Sequence, residues 1–229
     1  IVFLISQYVT DANIANNNLR LPLHCASVES YPAILEALLP HTANKDAKDI
    51  QGSTPLLLAA YFGQLANFKL LVEAGCDPVC ADNDGRNALH LACQEKHVEI
   101  VKVLIEKTGM SLCVRDSSHG STPFHFAANK GSVEIMELLC SHPQSNPNLE
   151  DHDGRTPLHY ASQNGHIDLV RLLTSKHSSD AMAKDKKNVT PLSLSAEGGH
   201  LLVLKYLCSL VNSDPGFSDG HGRTPLHYA

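Results

Sequence analysis

Asp151-His-Asp-Gly-Arg-Thr-Pro-Leu-His159, followed by Tyr160-Ala-Ser-Gln-Asn-Gly-His166, recurs along the chain in near copies, and this recurrence decides the fold. The proline of the stretch, or the residue in its place, falls at positions 22, 55, 88, 123, 157, 191 and 225. Successive copies are therefore separated by 33, 33, 35, 34, 34 and 34 residues. A nearly fixed period of this length indicates stacked supersecondary units.

The first half of each copy predicts a short helix. Thr156 is a preferred N-cap residue, and Pro157 suits the first helical position, where no N–H is needed. Leu158 and Ala161 are three residues apart and so share one face of that helix. Gly165 suits the left-handed conformation that ends helices.

The second half predicts another helix, because residues 166–173 carry apolar side chains at helical spacing. The loop before the next Thr-Pro contains Asp-x-x-Gly, in which Gly154 supports a tight turn of a hairpin-like finger. Each unit is therefore a short helix, a turn, a second helix and a finger.

These motifs resemble the ankyrin repeat, with Thr-Pro-Leu-His at the start of the first helix and Gly-His between the helices. The resemblance covers essentially the whole chain. It implies an all-α fold, an ankyrin-repeat solenoid of stacked helix-turn-helix units with finger-like loops. Because unrelated partners bind to this one scaffold, the resemblance specifies the fold more closely than the function.

The period predicts a single array over residues 1–229. Residues 1–15 form a partial repeat and residues 219–229 another, and the full repeats cover 16–48, 49–81, 82–116, 117–150, 151–184 and 185–218. Neither end carries an obvious polar cap, which solenoids need for solubility. We therefore expect a fragment of a longer protein, with further ankyrin repeats of the parent chain at both ends.

Several copies depart from the pattern. Lys96 replaces the glycine that ends the first helix, and it must either adopt a costly left-handed conformation or alter the turn. Asn188 replaces the finger glycine, which is a tolerable change because asparagine adopts positive φ more readily than most residues. Leu57 and Ser193 replace the motif histidine. The 35-residue interval is expected to lengthen the loop around residues 107–119.

Composition limits the classes of partner. The formal net charge of −6 and the pI of about 6.1 provide no general attraction to nucleic acid or to anionic membranes. No apolar run approaches the ~18–20 residues that span a bilayer, so no direct membrane insertion is expected. Seven cysteines are an odd number and indicate free, mostly buried thiols in a reducing compartment, which favours a cytoplasmic (intracellular) location.

The fourteen histidines do not predict a metal site. Eight of them occupy repeated positions, where hydrogen bonding between loops and units is their expected role. Copies one unit apart would be ~8–10 Å from each other, too far to share a zinc ion. Cys76 and Cys80 lack the second closely spaced pair of a thiolate site. No catalytic motif appears, so we expect no enzyme activity, no catalytic residues and no cofactor.

The resemblance implies that another protein binds on a concave surface made of finger tips and the exposed side of the first helices. We call this the finger–helix surface. Aromatic and arginine side chains are enriched in binding hot spots. The predicted partner-binding residues are Tyr61, Phe62, Arg86, Gln94, Glu95, Asn129, Lys130, His152, Arg155, Gln163 and Asn164.

Other interpretations of the array remain. The chain is alternatively a structural spacer or spring segment of a long ankyrin array, within the cytosolic part of a membrane protein for example. It is also compatible with the regulatory region of an enzyme whose catalytic domain lies outside this fragment. For Tyr61 and Phe62 the alternative to partner binding is packing against the irregular first repeat.

Overall fold

The computed structural model of the chain describes residues 11–211 and His227. Residues 11–211 form twelve α-helices, with no β-strand and one isolated antiparallel bridge between Ala81 and Asn87. The all-α prediction is therefore confirmed. Residues 1–10 of the first predicted partial repeat, and the last predicted partial repeat at 219–229 apart from His227, lie outside the described residues. The repeat boundaries stay predictions.

The chain divides into two compact units, the first ending at Met110 and the second beginning at Ser111. The N-terminal unit contains α1 (Pro22–Val28), α2 (Pro32–Leu38, continued by the 3-10 helix Leu39–His41), α3 (Pro55–Tyr61), α4 (Leu65–Glu73), α5 (Ala88–Gln94) and α6 (Val98–Thr108). The C-terminal unit contains α7 (Pro123–Lys130), α8 (Val133–Ser141), α9 (Pro157–Gln163), α10 (Ile167–Lys176), α11 (Pro191–Glu197) and α12 (Leu201–Val211).

Within each unit the helices pack in two rows. In the N-terminal unit α3 packs between α1 and α5, and α4 packs between α2 and α6. In the C-terminal unit α9 packs between α7 and α11, and α10 between α8 and α12. Leu158 and Ala161 of α9 are fully buried, as expected for residues that share the packed face. The small alanine side chain allows neighbouring first helices to approach closely.

Polar side chains cap several of the first helices, whereas α1 begins after Leu21, whose side chain makes no capping hydrogen bond. The Thr54 hydroxyl accepts a hydrogen bond from the backbone N–H of Leu57 at 3.2 Å, and Pro55 occupies the first turn. Where Asn87 replaces threonine, its Oδ1 accepts bonds from the N–H groups of Leu89 and His90 at 3.1 and 3.2 Å. The repeat thus tolerates either N-cap residue because both supply an acceptor oxygen.

Left-handed residues end the first helices and turn the fingers. Gly165 has φ of +74°, as predicted. Lys96 adopts φ of 60° in the same position, so this copy keeps the turn and accepts the unfavourable conformation. Asn188 has φ of 58° in its finger. The added residue of the 35-residue interval lies in the finger of repeat four, where Asp116 Oδ1 accepts from the N–H of Ser121, five residues later.

Because an L-residue with a side chain is strained at positive φ, we predict that Lys96→Gly raises the free energy of unfolding by about 1 kcal/mol. Lys69→Gly is the matched control. Lys69 lies exposed inside α4, where glycine should lower stability by about 1 kcal/mol. Urea denaturation measures both. Destabilisation by Lys96→Gly would contradict the conformation assigned to this turn.

Candidate interaction surface

The fingers of repeats two to six are each built around a buried aspartate. Asp49 is 4% exposed, and its Oδ1 accepts hydrogen bonds from the backbone N–H groups of Gln51 and Ser53, both at 2.9 Å. Asp151 makes the same pair of bonds, to the N–H groups of Asp153 and Arg155 at 2.8 and 2.9 Å. The equivalent residues Asp82, Asp116 and Asp185 repeat this arrangement. This aspartate recurs in the sequence, but its role in closing the finger was missed.

The second oxygen of several of these carboxylates holds an arginine. Arg155 Nε lies 3.2 Å from Oδ2 of Asp185 in the next finger, and Asp185 is almost completely buried. Arg86 instead binds Asp82 and Asp84 of its own finger, at 2.8 and 3.0 Å from Nη2. Both predicted partner-binding arginines thus stabilise the fingers, and a partner carboxylate would share guanidinium groups that are already engaged.

The motif histidine joins one repeat to the next. Nδ1 of His159 accepts the backbone N–H of Thr156 at 3.0 Å, and Nε2 lies 3.3 Å from the carbonyl oxygen of Val189 in the following finger. His24 and His125 make the same two kinds of bond. Because an N–H can only donate and a carbonyl can only accept, each ring must be neutral, with its proton on Nε2.

Burial opposes protonation of these rings. It lowers the pKa of His159 to about 4 and also lowers the pKa values of His24 and His125, although the carbonyl hydrogen bonds act in the opposite direction. Burial has the largest effect on these pKa values because a charged imidazolium loses its hydration inside the protein. A second proton would also remove the Nδ1 acceptor that caps the helix.

A second set of histidines holds the far end of the first helices. Nε2 of His97, His166 and His200 donates to the carbonyl oxygens of Tyr61, Asn129 and Gln163, at 2.9, 3.1 and 2.9 Å. Each acceptor belongs to the preceding repeat. The backbone is therefore held in place at Tyr61, Asn129 and Gln163, whose side chains lie at the ends of the first helices.

The glycines that end the first helices are needed for two reasons: their positive φ, and the histidine ring of the next repeat, which lies where a Cβ would be. A Cβ at Gly165 would lie 2.4 Å from Nδ1 of His200. The helix-ending glycine and the histidine of the next repeat are replaced together. Ser30 replaces the first glycine, and Gln64 stands one repeat later in place of histidine, where its Nε2 donates to the carbonyl oxygen of Val28 at 2.8 Å.

In the N-terminal unit the predicted partner-binding residues lie at the ends of α3 and α5 and in a finger. Tyr61 and Phe62 are 38% and 47% exposed, and their rings meet edge to face with centroids 5.1 Å apart. Gln94 Nε2 donates to Glu95 Oε1 at 2.9 Å. The aromatic pair is therefore substantially exposed at the C-terminal end of its helix.

In the C-terminal unit the structure connects several predicted residues. Asn164 Nδ2 donates to Asn129 Oδ1 at 3.0 Å, and Arg155 Nη1 donates to Gln163 Oε1 at 3.4 Å. Exposed His152 lies in a finger tip, and half-buried Lys130 ends α7. All of these residues lie on fingers or first helices, as the repeat register predicts.

An open hollow of about 210 Å³ lies on the finger–helix surface of the C-terminal unit. It is lined by Asp116, His119, Ser121, His125, Phe126, Asn129 and Tyr160. Of the predicted partner-binding residues, Asn129 contributes to it. Phe126 and Tyr160 were not among the predicted residues, because the same position is a buried leucine in other repeats, at Leu58 and Leu91. In the sequence, the change from leucine to an aromatic residue at this position could have indicated the hollow.

No group of three or more histidine, cysteine, aspartate or glutamate side chains within residues 11–211 or at His227 could hold a metal ion. All seven cysteines are free, but only Cys76 and Cys93 are buried. The expectation of mostly buried thiols was therefore wrong, because Cys25 and Cys208 lie on exposed helix faces. Burial raises the pKa of the Cys76 thiol to about 12, which makes it a poor nucleophile near neutral pH.

None of the helices in the described part of the chain combines the length and the apolar character that crossing a membrane requires. The family model described as "Ankyrin repeats (3 copies)" matches residues 46–116 and 111–185. These two matches, together with the repeated motifs and the paired helices, show that the chain belongs to the ankyrin-repeat family. Ankyrin repeats generally mediate protein–protein interaction and are generally non-catalytic modules.

The chain is similar to ankyrin-repeat proteins of different kinds. It is 34% identical over 137 residues to the probable 26S proteasome regulatory subunit p28 of Saccharomyces cerevisiae, which covers 58% of this chain and 59% of that protein. It is 30% identical over 122 residues to the tyrosine-protein kinase HTK16 of Hydra vulgaris, covering 52% of this chain and 16% of the kinase. With inversin of Gallus gallus it shares 32% identity over 129 residues, covering 56% and 12% of the two chains.

A solved structure shows the same fold. The ankyrin repeat domain of Bcl-3, a member of the IkappaB protein family, matches with a TM-score of 0.75 and 26% identity, covering 92% of this chain and 94% of that one. The chain spans 59% or less of the curated relatives named above. The fold and family are shared across these proteins.

Stability should fall as the pH is lowered from about 6.5 towards 4. The folded-state pKa of His159 is depressed, so the unfolded chain binds the extra proton first, and the stability present above the unfolded pKa is lost on acidification. The variant His159→Gln lacks the titrating ring. We predict that the stability advantage of wild type over this variant shrinks by about 2 kcal/mol between pH 7 and pH 4.5. Urea titrations at the two pH values test this. A constant difference would contradict a neutral buried ring.

Gly165→Ala should destabilise the fold more than Gly75→Ala. Both glycines have positive φ, at +74° and +83°, but a Cβ at Gly75 meets nothing within 4 Å. The control should cost about 1–2 kcal/mol from backbone strain alone. Displacing the His200 ring and its hydrogen bond should add about 1 kcal/mol at Gly165. Thermal and urea melts measure both variants, and equal effects would show that the His200 contact is unimportant.

Proposed function

We propose that this chain is a non-catalytic protein-interaction module that binds a segment of another protein on its finger–helix surface. The observation that carries the proposal is the exposure of Tyr61 and Phe62, at 38% and 47%, at the end of a first helix. Large aromatic side chains dominate binding hot spots when a partner removes them from water. The general role of ankyrin repeats supports the same conclusion.

The backbone beneath this aromatic pair is held in place. Nε2 of His97 donates to the Tyr61 carbonyl, and the Phe62 N–H donates to the carbonyl oxygen of Leu58 at 2.9 Å. A preorganised surface loses little conformational entropy on binding. Partner binding with little backbone rearrangement follows from this arrangement.

The proposed function also includes the cellular compartment and the extent of the repeat array. Seven free cysteines support a reducing, cytoplasmic environment. We propose one continuous array of repeats over residues 1–229. No nucleic acid, cofactor or direct membrane insertion is part of the proposed function.

The test replaces the aromatic pair by the polar pair that repeat five carries at the same positions, Gln163 and Asn164. Tyr61→Gln with Phe62→Asn keeps a sequence that an ankyrin repeat already accommodates. A partner recovered by affinity purification from cytosol is mapped to its binding segment, and that segment is titrated calorimetrically. We predict about 30-fold weaker binding, corresponding to about 2 kcal/mol, with little change in melting temperature.

Lys69→Ala, on the exposed face of α4, is the control and should bind the segment as wild type does. If the double variant binds normally but melts at a much lower temperature, the aromatic pair packs within the unit and is not an interface. If Lys69→Ala also lost its fold, a lower melting temperature of the double variant could not be attributed to the aromatic pair.

A further inference from the structure

The hollow in the C-terminal unit has two aromatic walls. Phe126 and Tyr160 lie on the neighbouring first helices α7 and α9, and both side chains are half-buried. The Tyr160 hydroxyl donates to Asp151 Oδ2 at 2.6 Å, so its polar group is satisfied inside the protein. A volume of about 210 Å³ corresponds to about seven water molecules. One large apolar side chain would displace them and cover both rings.

The finger of repeat six carries positive charge on its surface. Lys184, Lys186 and Lys187 are exposed, whereas Asp185 between them is buried and paired with Arg155. We call these three lysines the basic tip. Lys186 Nζ donates to the carbonyl oxygen of His152, so the tip is attached to the neighbouring finger. All three lysines carry the same sign of charge at the surface, and that charge would attract carboxylates.

Hydrogen bonds hold the basic tip in register with the hollow. The N–H of His152 donates to the carbonyl oxygen of His119 at 2.7 Å, and the N–H of Lys186 donates to that of Asp153 at 2.8 Å. His119 also lines the hollow. The fingers of repeats four, five and six thus form one connected row that leads from the hollow to the basic tip.

We infer that the hollow and the basic tip together select an extended protein segment that has one large apolar side chain followed at a set distance by acidic residues. Adjacent repeats are ~8–10 Å apart and an extended chain advances ~3.3 Å per residue. The acidic residues should therefore be about three to six positions from the apolar anchor. This inference rests on the proposed function, for which it specifies the chemistry of the partner.

The probes are synthetic 12-residue peptides of glycine and serine that contain one phenylalanine and two glutamates. The glutamates are four and five positions after the phenylalanine, and a second peptide places them four and five positions before it. Matched peptides replace the glutamates with lysines or the phenylalanine with alanine. Fluorescence anisotropy measures binding to the whole chain. We expect the phenylalanine–glutamate peptide to bind at least about tenfold more tightly than either matched peptide, and to weaken as salt rises because exposed charges are screened.

Two protein variants separate the two parts of the site. Phe126→Leu places there the residue that Leu58 and Leu91 provide in other repeats, and it should weaken binding about tenfold for every phenylalanine peptide. Lys186→Glu with Lys187→Glu should reverse the preference and favour the lysine peptide. Lys69→Glu, on α4, is the charge control and should change nothing. Circular dichroism and urea melts verify that each variant is folded.

Equal binding of glutamate and lysine peptides, or no effect of Phe126→Leu, would overturn the inference. Tighter binding of a single-stranded dT12 oligonucleotide that displaces the acidic peptide would assign the basic tip to nucleic acid instead. If none of the peptides binds while the Tyr61→Gln and Phe62→Asn variant still loses its native partner segment, the proposed function stands and this inference fails.

Discussion

In the repeats that carry it, the neutral histidine at the fourth position of the repeated motif is the hydrogen-bonding side chain that joins one repeat to the next. Nδ1 of His159 caps the helix to which the residue belongs, and Nε2 reaches the next finger at Val189. A single buried ring thereby satisfies a helix N-terminus and a finger carbonyl of the following repeat. Where Leu57 or Ser193 takes this place, the N-cap threonine accepts the N–H of that residue at 3.2 Å and helix capping is retained.

Because buried side chains stabilise the fingers, the amino acids at the finger tips can differ from repeat to repeat. In the fingers of repeats two to six the aspartate at the base is buried, and one of its oxygens accepts two backbone N–H groups, as Asp151 shows. These bonds close the hairpin without using the side chains at the tip. The tips accordingly carry Ile50 in one repeat, His152 in another and Lys186 in a third. Ankyrin repeats can in this way offer different chemistry on one scaffold, and two compact units here carry different surfaces, one with an exposed aromatic pair and one with an aromatic hollow.

Local rules were sufficient for the fold. The period, the Thr-Pro helix starts and the helix-ending glycines predicted paired helices in every repeat, and twelve helices lie within residues 11–211. Of the two alternatives left open for Lys96, the structure shows the left-handed conformation. The surface was less predictable because contacts between repeats decide it. Arg155 looks available in the sequence, yet Asp185, thirty residues later, engages it. Phe126 occupies a position that is a buried leucine in other repeats; the change to an aromatic residue is visible in the sequence, but the hollow beside it depends on the packing of neighbouring helices.

The central claim is that a neutral, Nε2-protonated histidine fastens a repeat that carries it to the finger that follows, as at His125 and His159, and ring nitrogen chemical shifts test it most directly. Long-range proton–nitrogen NMR spectra of the chain labelled with ¹⁵N-histidine distinguish the two tautomers and the imidazolium form. The account predicts that His125 and His159 show a protonated Nε2 and a bare Nδ1 at pH 7, and that His159 keeps this pattern at pH 5.5. A proton on Nδ1 of either ring at pH 7, or an imidazolium at His159 at pH 5.5, would contradict it.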